Sequence, residues 1–329
     1  MDFRTPVQID RSDLKIDHIT KIILFGSCFS ENIGIKLKEH KFKVNINPFG
    51  ILYNPISISN SIKRLLDNEC FIESELVYNN EMYHSFMHHG SFSDVSKQIC
   101  LKKINDRYIS ASNFIKETDV LLITFGTANA FNLLSNSHIV NNCHKFPSNK
   151  FKRFRLSIDT IVEEWNNLIE MIIYQNPQIR FIFTVSPIRH FSDGAHENQI
   201  SKSILHIAIE KIREKFYDRV DYFPAYEIML DELRDYRFYD DDMIHPSSFA
   251  KNYIWKCFSN KFFSENTKSV NKTWFSIRKS IDHRPLNTET QAYQNFLLNT
   301  IRSIDIFTNK YPHISCDKEY NYLVSLVKK

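Results

Sequence analysis

Four short apolar segments, separated by longer helical patterns, constrain the fold more than any other feature of this sequence. They are nearly continuous in apolar residues, which is typical of strands buried on both faces of a sheet. Strands separated by helices require crossover connections, and such connections produce parallel strands with helices on both faces. We therefore predict an α/β fold. The segments are KIILF (21–25), DVLLITF (119–125), RFIFTV (180–185) and VDYF (220–223).

The helical patterns have recognisable starts. Ser157 is a predicted N-cap for a helix that ends before Pro177. Asn54 precedes Pro55 at the predicted start of a helix through Leu66, and proline is favoured at the first helical position because its missing N–H needs no partner there.

No strand pattern follows Cys257, whereas helical patterns cover 287–307 and 318–329. A segment without strands cannot extend a sheet. We predict an α/β domain over residues 1–257 and a helical C-terminal extension over residues 258–329.

Charge and cysteine content exclude several classes of protein. Lys plus Arg number 42 and Asp plus Glu number 38, for a net charge of +4, which is too small for a nucleic-acid-binding protein. No apolar run approaches the ~20 residues of a membrane span, and the N-terminal segment lacks the apolar region of a signal peptide. We expect a cytoplasmic protein with reduced cysteines.

The glycines and histidines argue against a cofactor. Only six glycines occur in 329 residues, and none forms the glycine-rich motif that holds a dinucleotide or a nucleoside triphosphate. His84, His88 and His89 lack the spacing and the supporting carboxylate of a helical zinc site. The six cysteines also lack zinc-ligand spacing. We expect neither a metal nor an organic cofactor.

Ser27 follows the first predicted strand and precedes a helix with Phe29, Ile33 and Leu37 on one face. Backbone N–H groups at such a helix start favour a developing negative charge. This placement suits a nucleophile, although a serine there also serves simply as a helix cap.

A serine nucleophile needs a base, and His245 is the candidate. Asp242 precedes it by three residues in DDDMIHPS, so its carboxylate is able to hold one ring nitrogen and leave the other for Ser27. Taken alone, the same aspartates are equally explained as solvated charges before a helix that starts near Ser247.

The combination resembles the GSCFA family, a branch of the SGNH (GDSL-like) hydrolases. GSCFS at 26–30 is similar to the family's G-S-C-F-A motif and departs from it at Ser30. The resemblance covers about residues 20–257 and leaves the C-terminal segment uncovered. Five further segments match in the same order: NPFGILYNP (47–55), TFGTA (124–128), NCHKFP (142–147), TVSPIRH (184–190) and YFPAYEIMLDELRDYRFYDDDMIHPS (222–247).

The resemblance implies a three-layer SGNH/flavodoxin-like sandwich and a catalytic triad of Ser27, Asp242 and His245. It implies an oxyanion hole formed by the N–H groups of Ser27 and Gly50. The SGNH family's third block is usually G-x-N, but here the asparagine comes one position late. The third donor is therefore open, and the candidates are Gly126, Thr127 and Asn129.

Two other nucleophiles compete with Ser27. The Cys28 thiol stands beside it, and a helix start is able to lower a thiol pKa. Ser186 follows another strand, but Pro187 restricts its backbone to extended conformations. We favour Ser27.

Four further side chains are candidates for substrate binding because they lie in loops near predicted strand ends or in histidine-rich segments. A structural hydrogen bond is an equally good explanation for the histidines, and an ion pair with Asp193 or the 240–242 aspartates is an equally good one for the arginine. The candidates are His89, His144, Arg189 and His190.

These features predict an SGNH-type serine esterase that forms an acyl-enzyme on Ser27. The resemblance suggests that it removes short acyl groups from a glycan or a small molecule. An acyltransferase using the same site and a non-catalytic module that binds a glycan or protein are the alternatives. The oligomeric state is left open.

Overall fold

The computed structural model describes residues 4–327. Residues 1–3 of the predicted α/β domain and residues 328–329 of the predicted C-terminal extension lie outside the described residues. The strands are β1 (Lys21–Gly26), β2 (Lys43–Ile46), β3 (Leu76–Asn79), β4 (Met82–Ser85), β5 (Val120–Phe125), β6 (Asn129–Leu133), β7 (Ile139–Val140), β8 (Phe151–Arg155), β9 (Arg180–Val185) and β10 (Val220–Tyr222). The helices are α1 (Cys28–Glu39), α2 (Pro55–Leu66), α3 (Lys97–Ile115), α4 (Ile158–Gln175), α5 (Ala195–Lys215), α6 (Ala225–Glu227), α7 (Ser248–Phe262), α8 (Glu265–Ile281), α9 (Gln291–Lys310) and α10 (Asp317–Leu326).

A five-stranded sheet of parallel strands forms the centre of the molecule, in the order β2, β1, β5, β9, β10. Numbered along the chain, this order is 2-1-3-4-5, which is the flavodoxin-like arrangement. The predicted α/β fold with a parallel sheet is confirmed. Each of the four apolar segments forms one of its strands.

The sheet separates two hydrophobic cores because successive side chains of a strand point to opposite faces. On β1, Ile23 and Phe25 belong to one core, and Ile22 and Leu24 belong to the other. Helices α2, α3, α4 and α5 pack on the first face, while α1 and α7 pack on the second. This arrangement confirms the three-layer sandwich.

The predicted helix starts are also confirmed. The Asn54 side chain accepts a hydrogen bond from the Ser57 N–H at the start of α2, and Ser157 caps α4 in the same way through the Thr160 N–H. Ser247 is the N-cap of α7.

The sequence patterns missed β2 and two small antiparallel sheets. β2 is only four residues long and contains Lys43 and Asn45, so its apolar signal is weak. β3 pairs with β4, and β6 pairs with both β7 and β8. These strands lie on the surface of the sandwich and are mostly half-buried or exposed.

The last three helices have a hydrophobic core of their own, centred on Trp274. Trp274 Nε1 donates to the Glu39 carbonyl at 2.8 Å, and Lys41 forms an ion pair with Glu319 at 2.6 Å. They therefore pack against the C-terminal end of α1. The domain boundary after Cys257 stays a prediction, and α7 runs across it. Among residues 4–327, no helix combines the length and apolar character that a bilayer span requires.

Candidate active site

Ser27 joins the end of β1 to the start of α1. It is the N-cap of that helix, and its Oγ accepts a hydrogen bond from the Phe29 N–H at 3.3 Å. In the part of the chain that the structure describes, no hydrogen-bond partner is found for the Ser27 N–H. Ser27 is therefore able to serve both as a helix cap and as a nucleophile, because capping α1 leaves the Ser27 N–H unpaired.

The turn before Ser27 requires glycine. Gly26 has φ +143°, and a Cβ there would lie 2.3 Å from the Thr124 carbonyl oxygen of the neighbouring strand. Its N–H donates to Asn47 Oδ1 at 3.0 Å. The close approach of β1 and β5 fixes the backbone that carries Ser27.

The Ser27 hydroxyl donates to Ser186 Oγ at 3.0 Å. Ser186 follows β9, and its own N–H donates to the Phe125 carbonyl at the end of β5. The two serines therefore meet across the carboxyl end of β5. Among the described residues, no hydrogen bond joins Ser27 to His245.

Asp242 and His245 form a self-contained pair. Asp242 Oδ2 lies 2.5 Å from His245 Nδ1, while Oδ1 accepts the N–H groups of Ile244 and His245. The hydrogen bonds from these backbone groups and the contact with the His245 ring lower the pKa of Asp242 to about 2. Both side chains are nearly half exposed, at 45 % and 48 %. The carboxylate thus fixes the ring of His245 and leaves its Nε2 without a partner in the described chain.

A buried lysine that the sequence analysis did not single out lies beneath the two serines. Lys202 is completely buried in α5, and its Nζ donates to the carbonyls of Gly126 at 2.8 Å and Ser186 at 2.7 Å. A lysine within a charged amphipathic helix gives no sequence signal of such burial.

The structure opposes the rival nucleophile. Burial raises the pKa of the Cys28 thiol, whereas an activated cysteine requires a lowered one. The thiol next to Ser27 is therefore held in its neutral form at neutral pH.

The candidate oxyanion donors after Ser27 are engaged in other hydrogen bonds. The Gly50 N–H donates to the Asn47 carbonyl at 2.8 Å, and the N–H groups of Gly126 and Thr127 both donate to the Tyr53 carbonyl. The Asn129 amide donates to Asp193 at 3.0 Å, and the Thr127 hydroxyl contacts Ser201. In this conformation, only the Ser27 N–H is unpaired among the predicted backbone donors.

A cavity of about 590 Å³ opens at this edge of the sheet. His190 lines it, stacked edge-on against Tyr53. Burial, followed by the nearby Lys202 charge, lowers the pKa of His190 to about 4, and the charge of His245 makes a smaller contribution. The ring is therefore neutral at pH 7. Ser27, Asp242 and His245 are not among the residues that line the cavity. The cavity is lined by Tyr53, Asn54, Thr127, Asn129, Phe131, Val140, Asn141, Asn142, Cys143, Arg153, His190, Ser192 and Asp193.

The other three candidate binding residues do not line this cavity. His144 is buried against His84, and its Nε2 contacts the Ser85 carbonyl at 2.8 Å. Arg189 stacks over Phe191. His89 lies beside the Gly50 turn, where its N–H donates to a backbone carbonyl. The expected partner of Arg189, Asp193, forms its ion pair with Arg153.

Across residues 4–327, no three His, Cys, Asp or Glu side chains lie close enough together to hold a metal ion.

Two of the solved structures that are similar to this chain are carbohydrate esterases. A family 3 carbohydrate esterase from Clostridium thermocellum has 10% identity and a TM-score of 0.34, covering 77% of this chain and 97% of its own. A carbohydrate esterase family 3 protein from Talaromyces cellulolyticus has 11% identity and a TM-score of 0.32, covering 77% and 99%. Similarity this low says nothing about the activity of this chain.

No curated protein matches the sequence. Family models match it in two consecutive parts. The model of the GSCFA domain protein, C-terminal domain, matches residues 274–329. The model of the GSCFA family matches residues 21–258, which include Ser27, Asp242 and His245. This chain therefore belongs to the GSCFA family.

Proposed function

We propose that this protein is an SGNH-type serine hydrolase that cleaves an ester through an acyl-enzyme on Ser27. The observation that carries the proposal is that two parts of such a site are already formed in separate segments. Ser27 sits at the start of α1 beside an unpaired N–H, and Asp242 orients a His245 ring whose Nε2 is free to accept a proton.

The reaction starts when the Ser27 hydroxyl leaves Ser186 and turns to His245 Nε2. His245 takes the proton while Oγ attacks the ester carbonyl carbon, and Asp242 stabilises the imidazolium. His245 then returns the proton to the departing alcohol. A water molecule gives a proton to His245 and attacks the acyl carbon. The bond from that carbon to Ser27 Oγ breaks, Oγ takes the proton from His245, and the carboxylic acid leaves.

The Ser27 N–H is the first oxyanion donor in this proposal. The N–H groups of Gly50 and Gly126 join it only if they exchange their bonds with Asn47 and Tyr53 for the oxyanion. Thr127 and Asn129 are the side-chain candidates for the third donor. Removing one such donor costs about 2.7–4 kcal/mol of transition-state stabilisation, so a second donor has to be present in an efficient enzyme.

The cavity supports a short acyl ester of a glycan or another polar small molecule as substrate. Tyr53 and Phe131 line it together with Asn54, Asn141 and Asn142, and this mixture of aromatic and polar residues suits a ligand with both apolar faces and hydroxyl groups. His190 is the one predicted substrate-binding residue that lines the cavity, and the oxyanion candidates Thr127 and Asn129 also line it. Arg189, His144 and His89 would need to act from outside.

Labelling with a fluorophosphonate tests the proposal. We expect the wild-type chain to be labelled and Ser27→Ala to be unlabelled. Ser30→Ala is the matched control, because it lies one turn later in α1, its hydroxyl has no partner among the described residues, and alanine restores the family motif. Absence of wild-type labelling would favour a binding module, and labelling of Ser27→Ala would reject Ser27.

An acyltransferase would use the same serine and would also be labelled, so a second measurement is needed to distinguish a hydrolase from an acyltransferase. With p-nitrophenyl acetate as donor, a hydrolase forms acetate at the same rate when glycerol or a sugar alcohol is added. Transfer of most of the acetyl group to the added alcohol would identify an acyltransferase.

A further inference from the structure

Lys202 is a buried cation that joins two strand ends of the central sheet. Its Nζ donates to the Gly126 carbonyl after β5 and to the Ser186 carbonyl after β9. The residue has no exposed surface. A lysine almost never reaches this degree of burial without a paired charge, because the ammonium loses its hydration.

No carboxylate forms an ion pair with Lys202 in residues 4–327. The titratable groups facing it are neutral or weakly charged and come from every element around it. Cys28 faces it from α1, His190 from the segment after β9, Tyr226 from α6 at 5.5 Å from ring centre to Nζ, and His206 from α5 itself. The positive charge of Lys202 is therefore uncompensated in the resting structure.

One residue separates the charge from the proposed nucleophile. Ser186 connects them, since its carbonyl accepts from Lys202 and its Oγ accepts from Ser27. We propose that Lys202 is a positioning residue for the ester-cleaving site: it fixes Ser186, which holds the Ser27 hydroxyl in the resting enzyme, and its charge favours the oxyanion that forms when Ser27 attacks.

This role rests on the proposed function and adds a source of stabilisation that the triad lacks. The proton of Ser27 still goes to His245, and Lys202 neither gains nor loses a proton during the reaction. Negative charge develops on the oxyanion while the nearby ammonium has no other counter-ion. Such a fixed charge is effective in a site that excludes water, because no solvent has to reorganise.

The pH dependence gives the role a distinct signature. Burial lowers the pKa of Lys202 to about 7, so the ammonium is present below that pH and is lost as the pH rises through it. The increase in labelling rate that the charge supplies is therefore expected to be lost as the pH rises through about 7.

The test compares fluorophosphonate labelling rates of wild type and Lys202→Met from pH 6 to pH 9. Both proteins carry the same serine, histidine and aspartate, so the ratio of their rates isolates the contribution of Lys202. We expect the ratio to fall from about 10 at pH 6 to about 1–2 at pH 9, corresponding to loss of a fixed-charge effect. Lys211→Met, the same change on the exposed side of α5, is expected to keep a ratio near 1 throughout.

A ratio of labelling rates that is constant with pH would overturn the role. If Lys202 had only a structural role, its replacement would lower the rate by the same factor at every pH. Lys202→Gln replaces Lys202→Met if the latter does not fold. Absence of wild-type labelling at every pH would instead reject the proposed function itself. The two failures are therefore distinguishable.

A stability measurement checks the buried charge without using activity. Lysine has a pKa of about 10.4 in the unfolded chain, so the unfolded state binds the proton more tightly than the folded one. The unfolding free energy of wild type relative to Lys202→Met is expected to rise as the pH rises from 7 to 10. A difference that does not change with pH would show that Lys202 is not an uncompensated buried cation.

Discussion

The side chains of Asp242 and His245 meet at 2.5 Å although both are nearly half exposed to solvent. The same carboxylate accepts two backbone N–H groups of its own loop. Because three hydrogen bonds converge on one carboxylate, the orientation of the His245 ring is set within four residues and does not depend on burial.

Asp242→Asn is expected to reduce kcat on p-nitrophenyl acetate by about 10²- to 10⁴-fold, because an amide at this position favours the wrong tautomer of His245. Steady-state rates at pH 7.5 provide the measurement. Asp241→Asn, the neighbouring change, serves as the control and should retain wild-type activity. Equal activity of all three proteins would remove Asp242 from the triad.

Cys28→Ala is expected to change the fluorophosphonate labelling rate by less than about threefold, because a thiol whose pKa is raised by burial is not a competing nucleophile. Intact mass spectrometry of the labelled protein gives the rate. Loss of labelling in this variant, together with labelling of Ser27→Ala, would transfer the nucleophile to Cys28.

Gly26→Ala is expected to lower the unfolding free energy by about 2–4 kcal/mol, through a strained backbone and a clash with β5. Urea denaturation followed by circular dichroism measures the change. Gly90→Ala is the matched control, because a Cβ there meets nothing within 4 Å, and it should leave stability within about 0.5 kcal/mol. Equal unfolding free energies of Gly26→Ala and Gly90→Ala would mean that the turn before Ser27 accommodates a Cβ without strain.

Trp274→Ala is expected to lower the unfolding free energy by about 3–5 kcal/mol, since it removes a buried indole from the C-terminal helices. The labelling rate of Ser27 should stay unchanged while the protein is folded, because the contact of Trp274 with Glu39 lies at the far end of α1. Thr273→Ala on the same helix is the control for stability. A labelling rate that falls in folded Trp274→Ala would indicate that the C-terminal helices act on the site.

The buried parallel strands and the helix caps were predictable because their signals are local. The apolar runs of β1 and β5 and the caps at Asn54 and Ser157 each depend on a few adjacent residues. β2 was missed because Lys43 and Asn45 interrupt a four-residue strand.

The site was less predictable than the fold. The Asp242–His245 pair follows from a spacing of three residues, but the contact between Ser27 and Ser186 depends on the order of strands in the sheet. The burial of Lys202 depends on how α5 packs under two strand ends, and the occupied N–H of Gly50 depends on a turn with Asn47. The contact of Ser27 with Ser186 and the burial of Lys202 join segments far apart in the sequence, so no short motif encodes them.

The C-terminal helices are joined to the far end of α1 through Glu39 and Lys41. A helix of this length places those residues about 18 Å from Ser27, at the opposite edge of the sheet from the cavity. A bead or sensor surface attached through these helices would therefore leave the cavity facing solution. Immobilised in this way, every copy would present its cavity to the solution.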